Sequence, residues 1–219
     1  MDTQQRYGTL LGALSATFVL DGVAEPGGAQ RIIGTILIGA TLVLALYAAQ
    51  IGARSLRIAA ATLVGAVVVG VILAEVLGSG STAVVFAAIA NGLLVAFTPP
   101  AVVVGISRNL RATGTVTLTV VFGVLCLYML AGLFFAFVYV AMQNLGGAPF
   151  FSSGAAAISS RAVYFSFVTL TTVGYGDFTA RTNLGHTLAV IEALLGQIYL
   201  VTVVAAIVGN LAPRGRAAP

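Results

Sequence analysis

A Thr-Val-Gly-Tyr-Gly run at Thr172, Val173, Gly174, Tyr175 and Gly176 is the part of this 219-residue chain best suited to chemistry. Backbone carbonyl oxygens can replace the water around a dehydrated cation without adding a net charge that would trap the ion. Successive carbonyls face one way only if alternate residues adopt conformations that most side chains forbid, and glycine adopts positive φ freely. The run therefore predicts a cation-binding backbone, to which Thr172 adds a hydroxyl.

A short helix is expected immediately before this run. Residues 161–171 contain no glycine or proline, and Ser159 or Ser160 is a suitable N-cap. The C-terminus of a helix carries partial negative charge, which stabilises a cation that pauses beside it. The sequence thus predicts a helix whose last turn points at the ion path.

The helix and the run must be positioned by apolar segments, and six segments are long enough to cross about 30 Å of hydrocarbon. They span residues 8–24, 32–50, 58–78, 82–106, 114–142 and 183–211. Residues 143–182 are irregular and rich in glycine, so at membrane depth they must be covered by protein or line water. This order predicts a re-entrant pore unit. Pro99 and Pro100 are expected to break or bend the fourth segment, with 101–111 continuing as a linker helix.

The composition disfavours most soluble classes of protein. The chain is 59% hydrophobic and 7% charged, whereas soluble domains carry about 25% charged residues. A soluble enzyme and a nucleic-acid binder are therefore not expected, and membrane lipids are the expected surroundings. Cys126 is the single cysteine, so no intrachain disulfide forms. No cofactor and no metal site of the usual ligands are expected, because no His/Cys cluster is present.

All ten basic residues are arginine, and their distribution predicts an orientation. The arginines of one side are Arg6, Arg54, Arg57, Arg108, Arg111, Arg214 and Arg216. The opposite loops hold Asp21, Glu25, Glu75 and a lone Arg31. The positive-inside rule predicts a multi-pass cell-membrane protein with both termini in the cytoplasm and 143–182 outside. A signal peptide is the alternative for the segment 8–24.

The Thr-Val-Gly-Tyr-Gly-Asp sequence between two apolar segments resembles the filter of tetrameric potassium channels in the voltage-gated-like cation channel superfamily. The whole chain is similar to small prokaryotic six-helix ion channels. The resemblance implies an all-α membrane protein in which four identical chains surround one pore. It also implies that the carbonyls of Thr172, Val173, Gly174 and Tyr175 bind permeant K⁺. The expected domains are a peripheral four-helix region at 1–113, a pore module at 114–212 and a cytoplasmic tail at 213–219.

Support for the filter is expected from Tyr164, Phe165, Val168, Thr171 and Asp177. Tyr175 should point away from the ion and pack against the rings of Tyr164 and Phe165. The resemblance implies that Tyr164 also hydrogen-bonds to Asp177. Proton-activated bacterial relatives carry an acid at the position of Val168, so their proton-coupled inactivation is not expected in this chain.

A row of residues four apart, Gly196, Leu200, Val204 and Val208, lies on one stripe of the last apolar segment. We expect this row to line the cavity, with Val204 or Val208 closing a hydrophobic gate; packing against lipid or other helices is the alternative. The resemblance places a hinge at Gly196, and close helix packing is an equal explanation for this glycine.

Two titratable residues of the last segment are candidates for modulation. Glu192 lies inside an apolar segment, so it either titrates during gating or is a neutral, hydrogen-bonded structural acid. Its expected partners are Arg161 or the backbone of the short helix. His186 near the outer end either senses external pH or is a solvated interfacial residue.

These observations predict a potassium-selective channel without a charge-based voltage sensor, because 82–106 carries no arginine or lysine. The alternatives are a non-selective monovalent cation channel, a non-conducting channel-like regulatory subunit and a potassium transporter subunit. The last of these resembles four fused pore repeats, and the chain shows no internal repeat.

Overall fold

The computed structural model describes residues 3–23, 27–49, 54–77 and 80–211, and these residues form seven helices. They are α1 (Thr3–Val23), α2 (Gly28–Ala48), α3 (Arg54–Leu77), α4 (Gly80–Thr113), α5 (Leu118–Leu145), α6 (Ser159–Leu170) and α7 (Asn183–Leu211). Extended pairing within these ranges is limited to one isolated bridge between Phe151 and Ala180. The prediction of an all-α fold is confirmed for the described residues.

Four of these helices are long and apolar enough to cross a membrane, which supports a multi-pass membrane protein. The spans are Gly28–Ala48, Thr82–Thr113, Leu118–Leu145 and Asn183–Ala206. The other two predicted segments fall in α1, which is not among these spans, and in α3, whose apolar part Ala60–Val76 is shorter. The count of six spans therefore stays a prediction. Residues 213–219 lie outside the described part of the chain.

A break at Pro99 and Pro100 is wrong, because α4 runs through both prolines without interruption, and the alternative of a bend stays a prediction. The buried side of α4 continues across the pair at Leu94, Val95, Thr98, Ala101 and Val102. Packing of this continuous face against its neighbours outweighs the hydrogen bonds that the two missing N–H groups cost. The helix ends instead at Gly114, whose φ of 65° is left-handed and whose N–H donates to the carbonyl of Leu110 at 2.8 Å.

Polar contacts fix the two ends of the bundle formed by α1–α4. At one end, Arg31 of α2 pairs with Glu75 of α3, and Gln30 donates to Asp21 of α1 at 2.9 Å. At the other end, Arg6 lies 4.3 Å from the ring centre of Tyr47, and Arg108 donates to the carbonyl of Ala49 at 3.0 Å. The core is shared with α5, which packs against α1, α4 and α6. A shared core thus joins the α1–α4 bundle to α5 and α6.

The loop between α5 and α6 is closed by one side chain and by pairing with the segment before α7. The amide oxygen of Gln143 accepts the N–H groups of Phe150 and Ala157 at 2.8 and 2.9 Å. Phe151 then pairs with Ala180 beyond the Thr-Val-Gly-Tyr-Gly run. These contacts fix the segments before α6 and after the Thr-Val-Gly-Tyr-Gly run relative to each other and to α5.

Candidate functional site

The N-cap of helix α6 lies one residue before Ser159 and two residues before Ser160, the two predicted caps. The N-cap is Ile158, which is extended and makes no side-chain cap, and Ser159 is already helical. The serine cap prediction is therefore wrong. The Gln143 amide already fixes the backbone at Ala157, so the chain enters the helix at Ile158 without needing a side-chain cap.

The other end of α6 folds back on itself immediately before the filter run. After the C-cap Thr171, the N–H of Thr172 donates to Thr169 at 2.9 Å and that of Val173 donates to Val168 at 3.0 Å. This is a Schellman arrangement, in which the residue after the cap is normally a left-handed glycine. Here Thr172 takes that place with φ of 59°. The left-handed conformation costs a residue with a Cβ about 1–2 kcal/mol, so these bonds hold it in a strained shape.

Val168 supports the filter run through its backbone. Its carbonyl accepts the N–H of Val173 and, at 3.2 Å, that of Gly174. The hydroxyl of Thr171 donates one turn back to the carbonyl of Phe167 at 2.6 Å. The last turn of α6 therefore anchors the first residues of the run by hydrogen bonds that the side-chain pattern did not predict.

The backbone of the run alternates between left-handed and ordinary conformations. Positive φ occurs at Thr172, Gly174 and Gly176, with values of 59°, 53° and 79°. Val173 and Tyr175 between them have no positive φ. The left-handed backbone at the two glycines was expected from their type. The left-handed conformation of Thr172 was not expected from the sequence.

Tyr164 and Asp177 meet beside the run, as the resemblance implied. A side-chain hydrogen bond to Asp177 raises the pKa of the Tyr164 hydroxyl, because it stabilises the protonated donor. The ring of Tyr164 also contacts that of Phe178, with centroids 5.9 Å apart. Tyr164 therefore holds the residues that follow the run against α6.

Phe165 packs into an aromatic cluster within the chain, and its expected packing against Tyr175 stays a prediction. Its ring packs against Tyr139, Phe150 and Phe151 at centroid distances of 5.0, 6.0 and 5.4 Å. Phe165 also lines, together with Tyr164, an open groove beside the run. The Tyr175 side chain is 71% exposed and has no ring contact with either residue within the described chain.

A groove of about 310 Å³ lies beside the run between α6 and α7. Its lining includes Tyr164, Val168, Gly174, Asp177 and His186. His186 is exposed in the first turn of α7, where its N–H donates to the carbonyl of Thr182 at 2.9 Å. The structure thus places His186 in the groove beside the Thr-Val-Gly-Tyr-Gly run but at the surface of the chain.

Gly196 faces α6 and not the predicted cavity. A Cβ at this position would collide with the carbonyl of Leu170, the last residue of α6. The same carbonyl accepts a hydrogen bond from Tyr128 of α5 at 3.2 Å. Helix α7 continues without a break through Gly196, so the structure gives this glycine a role in close packing.

The remaining members of the predicted cavity row differ from Gly196 in their surroundings. Leu200 and Val204 are 40% and 56% exposed in the single chain. The side chain of Val208 lies outside the described residues. The row is therefore not one uniform face: its first member is packed inside the chain, and the next two are available to line a cavity, contact lipid or contact another chain.

Glu192 of α7 is completely buried and joins three helices. Its carboxyl accepts a hydrogen bond from the Tyr139 hydroxyl of α5 at 2.6 Å and is also hydrogen-bonded to Ser166 of α6. The predicted partners are wrong, because Arg161 instead donates to the carbonyl of Ala156 at 3.2 Å. Ser166 and Tyr139 were not predicted. An apolar helix with a buried acid requires polar partners, but the sequence does not indicate which ones.

Within the described ranges, no group of three or more His, Cys, Asp or Glu side chains converges to hold a metal ion. The candidate cation ligands are instead the backbone oxygens of the run. The chemistry available to them is binding and release of a cation, which needs neither a nucleophile nor a general base.

Comparison with known proteins gives two partial matches. Residues 115–212, a little under half of the chain, match a family model described as "Ion channel". The chain is also 49% identical over 47 residues to a "Probable potassium channel protein 2" of Methanocaldococcus jannaschii. That alignment covers 20% of this chain and 14% of the relative. No solved structure matches the chain. These similarities support ion channel activity for the α5–α7 unit.

Proposed function

We propose that this chain forms a potassium-selective channel in which residues 172–176 are the filter. The observation that carries this proposal is the left-handed backbone at every second residue from Thr172 to Gly176, anchored to the end of α6. Such a backbone suits a row of carbonyls along one path. The similarity of 115–212 to ion channels supports the same assignment.

In the proposed mechanism, K⁺ exchanges its water for the carbonyls of Thr172, Val173, Gly174 and Tyr175. Neighbouring sites are occupied in turn, and ions advance by mutual repulsion. The carboxyl end of α6 places partial negative charge next to the inner end of this path. Conduction is passive, so no reaction and no cofactor are involved.

Four chains around one pore are needed because one chain provides a single carbonyl at each level. The surface of α7 supports this part of the proposal. Only 11% of the apolar part of α7 is buried in one chain, whereas 50–56% of the apolar part of each of the other three spans is buried. The exposed Tyr175 ring and the groove beside the filter also remain free for a neighbouring chain.

The orientation predicted from the arginines completes the proposal. Arg6 and Arg108 lie at one end of the bundle, and the Arg31–Glu75 pair lies at the other. We place the arginine-rich end and both termini in the cytoplasm, and the loops around the filter outside the cell.

The experiment is a reversal-potential measurement on purified protein in planar bilayers, with potassium on one side and sodium on the other. A reversal potential near the potassium equilibrium value is expected. A clear current that reverses near zero would replace the proposal with a non-selective cation channel. Absence of current, even after Val204→Ser opens the predicted gate, would favour a non-conducting subunit.

Glycine variants test whether the potassium current passes through residues 172–176. Gly174→Ala and Gly176→Ala should abolish potassium current, because alanine resists the positive φ that these positions require. Gly154→Ala is the matched control: its φ is 81° and a Cβ there meets nothing within 4 Å, but it lies outside the filter. Normal selective current in both filter variants would contradict the assignment.

A further inference from the structure

A buried polar junction joins α5, α6 and α7 one turn before the end of α6. It consists of Tyr139, Ser166 and Glu192, together with the backbone carbonyl of Gly132. The Ser166 hydroxyl lies 2.7 Å from the Gly132 carbonyl and is also in hydrogen-bond contact with Glu192. The Tyr139 hydroxyl donates to the second oxygen of the same carboxyl at 2.6 Å. Both Ser166 and Glu192 have no exposed surface.

The number of protons available decides the charge of Glu192. A serine hydroxyl has one proton to donate, yet Ser166 contacts two oxygens that are both acceptors if Glu192 is ionised. All contacts are satisfied together if Glu192 is protonated. The carboxyl then donates to Ser166, Ser166 donates to the Gly132 carbonyl, and Tyr139 donates to the other carboxyl oxygen.

The surroundings of Glu192 also favour the neutral form. From α5 the facing titratable groups are the hydroxyls of Tyr139 and Tyr128, which are neutral. From α6 the facing group is Ser166, while Arg161 is directed to the Ala156 carbonyl. Within the described ranges no cationic side chain pairs with this carboxyl. An unpaired buried carboxylate is costly, so protonation is the favourable state.

We infer that Glu192 is a positioning residue whose protonated carboxyl clamps α6 between α5 and α7 and so keeps the filter in its conducting form. The inference rests on the proposed potassium-channel function. When the proton leaves to hydroxide in solution, the Ser166 contact loses its donor and a buried charge appears behind the filter. Potassium current should therefore fall as pH rises through the ionisation of Glu192.

Infrared spectroscopy tests the protonation itself without requiring any current. Wild-type protein at neutral pH should show the carbonyl band of a protonated carboxylic acid that Glu192→Gln removes. Glu75→Gln, the same exchange at the ion pair with Arg31, should leave that band in place. Identical spectra of wild type and Glu192→Gln in this region would overturn the inference.

The pH profile of potassium current tests the consequence. Wild-type current should fall at least about tenfold per pH unit once most of the Glu192 carboxyls are ionised. Glu192→Gln, whose amide donates to Ser166 and accepts from Tyr139 but cannot ionise, should lose that decline. Glu75→Gln should retain it. An unchanged profile in Glu192→Gln would overturn the inference while the wild-type current still supported the channel.

A second variant covers the case in which Glu192→Gln does not fold. Ser166→Ala removes the acceptor of the carboxyl proton and leaves Glu192 in place. The infrared band of the acid should move to higher frequency, because its hydrogen bond is lost, and the alkaline decline should shift along the pH axis. An unmoved band and an unmoved profile would contradict the clamp.

Discussion

A glycine in the middle of a membrane helix either permits a bend or permits another backbone to approach. At Gly196 the structure favours the second explanation, because the Leu170 carbonyl occupies the place of a Cβ and α7 is unbroken. Leu170 is the residue at which α6 ends, and its carbonyl is also held by Tyr128. The absence of one side chain therefore sets how close α7 comes to the end of α6.

This contact predicts that Gly196→Ala lowers stability. Displacing the Leu170 carbonyl should cost about 1–3 kcal/mol, as overpacking in cores does, and should lower the thermal midpoint of the detergent-solubilised protein. Gly209→Ala on the same helix is the matched control, because a Cβ there meets nothing within 4 Å. That control should gain up to about 1 kcal/mol from better helix propensity. An equal gain in Gly196→Ala would support a hinge without close packing.

Individual residue types predicted the left-handed backbone at Gly174 and Gly176, but the surroundings of the run only in part. Gly174 and Gly176 indicated positive φ because glycine is the residue that tolerates it. Thr172 gave no such signal, since its conformation is imposed by the hydrogen bonds that end α6. The packing of Phe165 could not be predicted from the sequence either. It depends on contacts with Phe150 and Phe151, which the loop before α6 brings to Phe165 only in the folded chain.

At the scale of whole helices, α4 is informative for the charges that it lacks. Its described basic side chains, Arg108 and Arg111, lie in the last turns, and 82–106 has none. Moving one elementary charge through 100 mV is worth about 2.3 kcal/mol, so an uncharged span gains little from the membrane potential. The helix α4 runs through the proline pair as a single element.

We therefore predict a shallow voltage dependence of opening, measured as the conductance–voltage relation of the reconstituted channel. Arg108→Gln should leave its steepness unchanged, because Arg108 lies at the end of α4 and contacts the Ala49 carbonyl. Steep gating that moves several elementary charges per channel would show that another part of the chain senses voltage.

Helix positions could be predicted from the sequence because apolar length and hydropathy are local properties. The exceptions are positions where distant contacts prevail. The prediction of a break at Pro99 and Pro100 was wrong, because the buried face of α4 continues through both residues. The N-cap of α6 is Ile158 instead of a serine, because Gln143 in the preceding helix α5 accepts the N–H of Ala157 and so fixes the loop.

At the scale of the molecule, one chain leaves its last helix largely uncovered. The apolar part of α7, Asn183–Ala206, has a mean hydropathy of 2.1, but only 11% of it is buried within one chain. An apolar helix tolerates this exposure against lipid or against further copies of the chain. The proposed function favours further copies of the chain, because a dehydrated K⁺ needs several oxygens at once and one chain would provide one carbonyl at each level.

A mixing experiment measures the number of chains in each pore. Wild type and Gly174→Ala are co-expressed in equal amounts, and the current is compared with that of wild type alone. If one variant chain blocks a tetramer, random assembly leaves about one sixteenth of the pores wholly wild type, and the current should fall to about that fraction. A dimer would leave about a quarter, and chains that conduct alone would leave about half. Gly154→Ala, co-expressed in the same way, should leave the current unchanged, which separates filter poisoning from loss of expression. A residual current near half would contradict the shared pore, because every carbonyl ring would then have to come from one chain.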